Sequence, residues 1–151
     1  MNLSTKGRYG LRALFQLALM DSSKPVPLNV IAQKQGLSEP YLEQLIAPLR
    51  KAGLVESIRG VRGGYKLARK PEEITVGEIL RVLEGPIAPA KCATEAGAVA
   101  EYCELEADCV VREVWIQIRD SIAQVVDNIT LADMVERQRL LKQARSPRYY
   151  I

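Results

Sequence analysis

The sequence predicts a mostly α chain with a small β-wing: a winged helix-turn-helix followed by a long dimerisation helix. Three observations lead there. Two short amphipathic segments, from Leu28 to Gln35 and from Ser38 to the stop at Gly53, are separated by a glycine turn. A strand, glycine loop and second strand follow directly. An apolar seam at heptad spacing then runs from Val111 to Ile129.

Ser4 to Met20 is predicted as the first helix, with Leu11, Leu14, Phe15 and Ala18 as its core stripe. Lys6, Arg8 and Arg12 lie toward its start, where lysine and free backbone N–H groups suit a phosphate. Asp21 to Pro27 reads as a loop with two prolines. In the next helix Ile31 takes the apolar side, and Gly36 ends it. Ser38 is the N-cap of the second segment, and Pro40 sits in its first turn, where a missing N–H costs nothing. Leu42, Leu45, Ile46 and Leu49 form one buried stripe, and Gly53 stops the helix.

The opposite face of that helix shows Ser38, Tyr41, Glu43 and Gln44 near its N-terminal end. A helix pinned on one face, with polar side chains on its first turns, can enter a DNA major groove. Ser38 and Tyr41 suit phosphates or base edges, and Gln44 suits adenine. Glu43 is the informative residue. A carboxylate beside a polyanion is unfavourable unless it accepts from a cytosine N4 amine. Its bland alternative is an ion pair on the helix surface, but Arg50 and Lys51 lie more than one turn away.

Val55 to Ile58 and Tyr65 to Leu67 are predicted strands around Arg59-Gly60-Val61-Arg62-Gly63-Gly64, with Arg59 and Arg62 placed for phosphate or minor-groove contacts. A strand follows these glycines, not a helix, so a phosphate-cradling nucleotide loop is excluded. Thr75 and Glu78 read as a capping box, with Ile74 and Ile79 as its apolar staple. That helix runs to Glu84 and stops at Gly85-Pro86.

The expected organisation is residues 1–89 as a DNA-binding domain, 90–109 as a cysteine-bearing loop, and 110–151 as dimerisation helix, short helix and tail. Lys91 to Asp108 is poor in large apolar residues and rich in acids, and any helix inside it is expected to be short. From Cys109 the long helix carries Val111, Trp115, Ile118, Ile122, Val125 and Ile129, the spacing of two helices packed side by side. Val110, Val114 and Val126 form a second stripe, expected to serve the chain's own domain and leave the seam for a homodimer partner. Packing of the seam on its own domain is the alternative. Ile129 to Asp133 repeats the staple-and-cap pattern and starts a last short helix. A basic, frayed end is expected from Lys142 onward.

The net charge of +3 over 151 residues hides an asymmetry. Residues 1–70 carry twelve Lys/Arg against four Asp/Glu, whereas residues 71–151 carry nine against fourteen. A basic half suits a polyanion; an acidic half suits a metal, a partner protein or solvent. No run approaches the roughly 20 apolar residues of a membrane helix. Gln16 interrupts the stretch from Ala13 to Met20, and no signal cleavage site follows, so a cytoplasmic protein is expected.

Zero histidines remove nearly every acid–base or nucleophilic triad, and no enzyme is expected. Three cysteines, an odd count, argue for metal, redox chemistry or burial rather than a disulfide framework. Cys92, Cys103 and Cys109 are separated by ten and then five residues, wider than the paired spacing of most zinc sites. Cys109 falls at the N-terminus of the long helix, where the dipole favours a thiolate or an anionic cluster. Three thiolates and one oxygen or nitrogen ligand suit an iron–sulfur cluster.

From Met1 to Pro89 the chain closely resembles the Rrf2 family of winged-helix bacterial regulators. The resemblance is carried by Leu3-Ser4-Thr5-Lys6-Gly7-Arg8-Tyr9-Gly10, by Leu37-Ser38-Glu39-Pro40-Tyr41-Leu42-Glu43-Gln44-Leu45, and by Leu54-Val55-Glu56-Ser57-Ile58-Arg59-Gly60 leading to Gly63-Gly64-Tyr65. Trp115-Ile116-Gln117-Ile118-Arg119 and Asn128-Ile129-Thr130-Leu131 extend it over nearly the whole chain.

The resemblance implies homodimers that cross their long helices and bind palindromic operators on double-stranded DNA. Its branches include an iron–sulfur biogenesis regulator, IscR-like, a cluster-bearing nitric-oxide sensor, and a cysteine-metabolism repressor without a cluster. Three cysteines point to the IscR-like branch and a [2Fe–2S] cluster. That branch has closer cysteines and a histidine where this chain has Arg112, which cannot ligate. The fourth ligand is then Glu101, Glu104, Glu106, Asp108, an exogenous group or a group from the other subunit. The nitric-oxide sensor's acidic N-terminal ligand falls at Arg8, which removes that option. The alternatives are a cluster-free regulator of cysteine metabolism or thiol redox state, a zinc-binding version, an electron-transfer protein, and a protein-docking module.

Overall fold

The structure, a computed structural model, describes residues 2–20, 23–94 and 108–146. Among them are α1 (Thr5–Leu19), α2 (Leu28–Gln35), α3 (Glu39–Lys51), β1 (Val55–Ile58), β2 (Gly64–Leu67), α4 (Val76–Glu84), α5 (Val110–Val126) and α6 (Leu131–Arg145). The mostly helical architecture with a two-stranded wing is as expected.

Ser4 caps α1, its hydroxyl accepting from the amides of Lys6 and Gly7. The core side of α1 differs from the predicted stripe. Ala13, Leu14 and Leu17 are buried, whereas Leu11, Phe15 and Ala18 pack at the margin and only Leu14 of the predicted set lies in the core. The reason is that α1 is central, touching α2, α3, α4 and α6. Its closest approach is made by glycines. A Cβ on Gly7 would collide with the Glu84 carboxylate, and one on Gly10 with the Leu83 side chain.

The helix-turn-helix follows local signals. Gly36 takes φ +65°, a left-handed C-cap open to glycine, and the Leu37 amide donates to the Ala32 carbonyl at 3.0 Å. Ser38 Oγ accepts from the Tyr41 amide at 3.4 Å, and Pro40 occupies the first turn of α3. Leu42, Leu45, Ile46 and Leu49 are buried, as their spacing requires. β1 and β2 pair antiparallel from Val55–Leu67 to Ile58–Gly64. The preceding loop adds a contact that its prolines concealed: Val26 and Tyr65 exchange two N–H···O bonds, both of 2.8 Å. Pro25 and Pro27 confine this edge to a single bridge.

Ile74 and Ile79 are fully buried, and Thr75 Oγ1 accepts from the Glu78 amide at 3.1 Å. Only this half of the predicted capping box forms, because the Glu78 carboxylate pairs with Arg69 at 2.6 Å instead.

The second half departs further from expectation. No residue of α5 is buried. The stripe predicted to face the domain does so only at Val126, which is half-buried and lines a cavity with Leu80 and Ile87; Val110 is 71% and Val114 47% exposed. Arg112 and Arg119 turn inward there, donating to the backbone carbonyls of Cys92 and Ala93. Toward its start the helix meets polar carbonyls, so arginines face them there; nearer its end Ile122 and Val126 line an apolar cavity with Leu3, Leu80 and Ile87. Along the seam Val111, Val125 and Ile129 are exposed, and Trp115, Ile118 and Ile122 are half-buried.

The last helix is not short. Thr130 and Asp133 complete a reciprocal capping box, and α6 continues for 15 residues. Lys142 to Arg145, expected as a frayed end, are helical. Its start is tied to the start of α4, since Val76 N donates to Ile129 O at 2.8 Å and Leu131 N to Ile74 O at 2.9 Å. Leu131, fully buried in the core cluster, then anchors α6 to the winged helix. Leu131→Ala should cost about 2–5 kcal/mol by denaturant unfolding. A loss below about 1 kcal/mol would mean that α6 is a loosely attached appendage.

Candidate nucleic-acid interface and metal centre

The residues predicted to read DNA are accessible on α3. Ser38, Glu43 and Gln44 are exposed, and Tyr41 is half-buried. Tyr41 packs edge-on against Tyr9 of α1, with ring centroids 6.3 Å apart and an interplanar angle of 85°. The Arg12 guanidinium lies 5.6 Å from the Tyr9 ring centroid. Glu43 makes no ion pair among the described residues, so its carboxylate stands free on the α3 surface. Lys6, Tyr41 and Gln44 line one cleft of about 280 Å³ between α1, α3 and α4. This brings the start of α1 beside the start of the reading helix. Arg8 is exposed on α1, and Arg59 and Arg62 are exposed on the wing.

One expectation fails at this surface. The amides at the start of α1 are not free for a phosphate. Glu84 Oε1 accepts from Ser4 N at 3.1 Å, Ser4 Oγ at 2.5 Å and Gly7 N at 2.9 Å. Glu84, from the last turn of α4, already supplies the negative group that the positive end of a helix attracts. What remains for a polyanion is side-chain charge, from Lys6 and Arg8.

A second pair joins α4 to α5. Arg81 Nη1 and Nη2 donate to Asp127 Oδ1 and Oδ2 at 2.5 and 2.9 Å. Hydrogen bonding to Arg81, opposed by slight burial and reinforced by the guanidinium charge, holds the Asp127 carboxyl below its usual range.

Cys92 lies in a 3-10 turn, Lys91–Ala93, and Cys109 is the N-cap of α5. Both are free thiols and half-buried. Cys103, Glu101, Glu104 and Glu106 lie outside the described residues, and Asp108 is exposed. Arg112 Nε donates to Cys92 O at 2.9 Å, while Arg112 N donates to Cys109 O at 3.1 Å. One residue therefore touches the backbone of both cysteines, which are 17 positions apart in the chain. Cys109 makes no side-chain cap, so its side chain leaves the first N–H groups of α5 unanswered. Two half-buried thiols thus flank a guanidinium at the start of α5. Among the described residues no three His, Cys, Asp or Glu gather as a metal site; the third thiol of the predicted set is outside them.

Residue type and spacing alone did not reveal Glu84, the Arg81–Asp127 pair, or the inward turn of Arg112 and Arg119. The only available signal was the seven-residue separation of the two arginines, which puts them on one helix face.

A buried helix-turn-helix with an exposed polar reading face and an arginine-tipped wing defines a winged-helix transcription regulator that binds DNA. The Rrf2 family model, described as an iron-dependent transcriptional regulator, matches residues 3–137, and the chain belongs to this family. It is 50% identical over 134 residues to the HTH-type transcriptional regulator CymR of Bacillus subtilis, covering 89% of each chain. It is 38% identical to the HTH-type transcriptional regulator IscR of Cronobacter sakazakii, covering 93% of this chain and 84% of that one. The solved structure of CymR, the global cysteine regulator of B. subtilis, matches with TM-score 0.75 and 48% identity, over 91% of this chain and 98% of that one. The T. potens IscR structure matches with TM-score 0.76 and 46% identity, over 99% and 97%. These relatives are transcription regulators, not enzymes. No helix among the described residues is long and apolar enough to cross a membrane.

The lowered pKa of Asp127 gives a direction for acid behaviour. The stabilisation from its ionised form is complete above the ordinary carboxylate value of 3.8 and is lost as pH falls through the lower folded value. Asp127→Asn should weaken α5 docking at neutral pH and remove that acid-dependent component. Amide exchange in α5, followed from about pH 5 to pH 2, checks it; equal pH dependence in both proteins would show that the pair does not hold the helix.

Proposed function

We propose that this chain is a homodimeric regulator, acting in the cytoplasm on palindromic operators, that senses iron–sulfur or redox status through a [2Fe–2S] cluster. Its targets on this reading are genes of iron–sulfur cluster biogenesis. The observation that carries the cluster reading is the meeting of Cys92 and Cys109 backbones at Arg112, against the uncapped start of α5. Cys92, Cys103 and Cys109 would supply the thiolates. Arg112 supplies no ligand, so the fourth comes from Asp108, Glu101, Glu104, Glu106, an exogenous group or the other subunit. When bound, the cluster supplies an anionic redox centre whose potential follows its ligands and surroundings.

The chain's own residues do the rest. The 3-10 turn rests on α5 through Arg112 and Arg119, and the Arg81–Asp127 pair carries the position of α5 to α4; a cluster would act by ordering residues 91–109 around that contact. Ordering of a segment on ligation is a known form of switch. The exposed members of the seam, Val111, Val125 and Ile129, with half-buried Trp115, Ile118 and Ile122, leave an apolar helix face. A second copy of the same helix covers it. The two heads then present α3 to major grooves about 34–36 Å apart or a multiple of this. Ser38, Tyr41, Glu43 and Gln44 meet DNA at α3, Lys6 and Arg8 beside it, and Arg59 and Arg62 at the wing.

A second reading is a cluster-free regulator of cysteine metabolism or thiol state, favoured by the 50% identity to CymR. Protein isolated without oxygen decides between them. It should be coloured, contain iron and sulfide, and bleach when Cys103 or Cys109 becomes Ala. Colourless protein whose operator binding still follows thiol oxidation supports the second reading, and colourless protein holding only zinc rejects the cluster. Separately, Glu43→Ala should relax sequence preference at one base pair by about 1–3 kcal/mol. An unchanged preference in a binding-site selection would make Glu43 a plain surface acid.

A further inference from the structure

We propose that Arg112, assisted by Arg119, is a positioning residue that clamps the cysteine segment onto α5 and sets a positive charge against the cysteine site. This rests on the cluster reading for its ligand, though the clamp itself is a property of the metal-free chain. The two arginines are seven residues apart, two turns along the inner face of α5. Their acceptors are successive carbonyls, Cys92 O at 2.9 Å and Ala93 O at 2.8 Å. Fully buried Ala93 fixes the turn beneath them.

The two guanidinium groups are not equivalent. Arg119 also pairs with Asp120 at 2.8 Å, so its charge is answered. Arg112 meets only a neutral carbonyl among the described residues. Its guanidinium is held beside the Cys92 backbone with no ion pair among the described residues. It favours an anionic group there, and favours the more negative of two redox states. Residues around the metal ligands act in both ways, orienting the donors and tuning the centre.

Three variants separate position from charge. Arg112→Gln keeps a donor and loses the charge, Arg112→Ala loses both, and Arg112→Lys keeps the charge without the guanidinium geometry. In metal-free protein, amide exchange at residues 92–94 should quicken about tenfold in Arg112→Ala. In anaerobically reconstituted protein, iron and sulfide retention should fall about tenfold or more in Arg112→Ala. The midpoint potential, titrated with dithionite, should fall in Arg112→Gln and be restored in Arg112→Lys. Unchanged exchange at 92–94 in Arg112→Ala would overturn the clamp, and equal potentials in all retained-cluster proteins would overturn the charge assignment. Wild-type protein that takes up no iron or sulfide would overturn the cluster reading and the charge assignment together, while the exchange measurement still decides the clamp.

Discussion

The arrangement turns on one carboxylate. Glu84 ends α4 and, through three hydrogen bonds to Ser4 and Gly7, also caps α1. That geometry exists because Gly7 and Gly10 let the last turn of α4 approach the α1 backbone. From this joint the other contacts follow. α1 brings Tyr9 to Tyr41 and so orients the reading helix, while α4 presents Arg81 to Asp127 on α5. Both carboxylates are exposed, and exposed pairs contribute little to stability. Their role is directional: they set the angle at which three helices meet, whereas the energy comes from the aliphatic core around Leu14, Ile31, Leu42 and Leu49.

What the residues revealed in advance follows from the range of the interactions. The turn at Gly36, the cap at Ser38, and the stops at Gly53 and Gly85 depend on contacts within a few positions, so residue type alone identified them. The heptad spacing identified an apolar helix face in the same way. Features made by polar groups reaching distant backbone left no period to read. Val26 meeting Tyr65, Glu84 meeting Gly7, and Arg112 meeting Cys92 all belong to that class. The predicted α1 stripe was incomplete: Leu11, Leu14, Phe15 and Ala18 all pack on the core, but Ala13 and Leu17 on the adjoining face are buried too because α1 is surrounded. The reading residues and cysteines were legible by chemistry, but the organisation around Cys92 and Cys109 was not.

Relatives named for a cysteine regulator and for IscR share this scaffold with nearly equal structural similarity. The scaffold therefore does not decide between their roles. The segment between α4 and α5 carries all three cysteines, and it leaves α4 one residue after Glu84.

The paired hydrogen bonds between Val26 and Tyr65 join the wing to the loop before α2. Val26 leads directly into the helix-turn-helix, so the wing and the entrance to α2 form one lever. The bridge ties β2 of the wing to Val26, just before α2, so the two meet at one point. Were the wing to meet a groove of altered width, the displacement would reach the start of α2 through Val26 first.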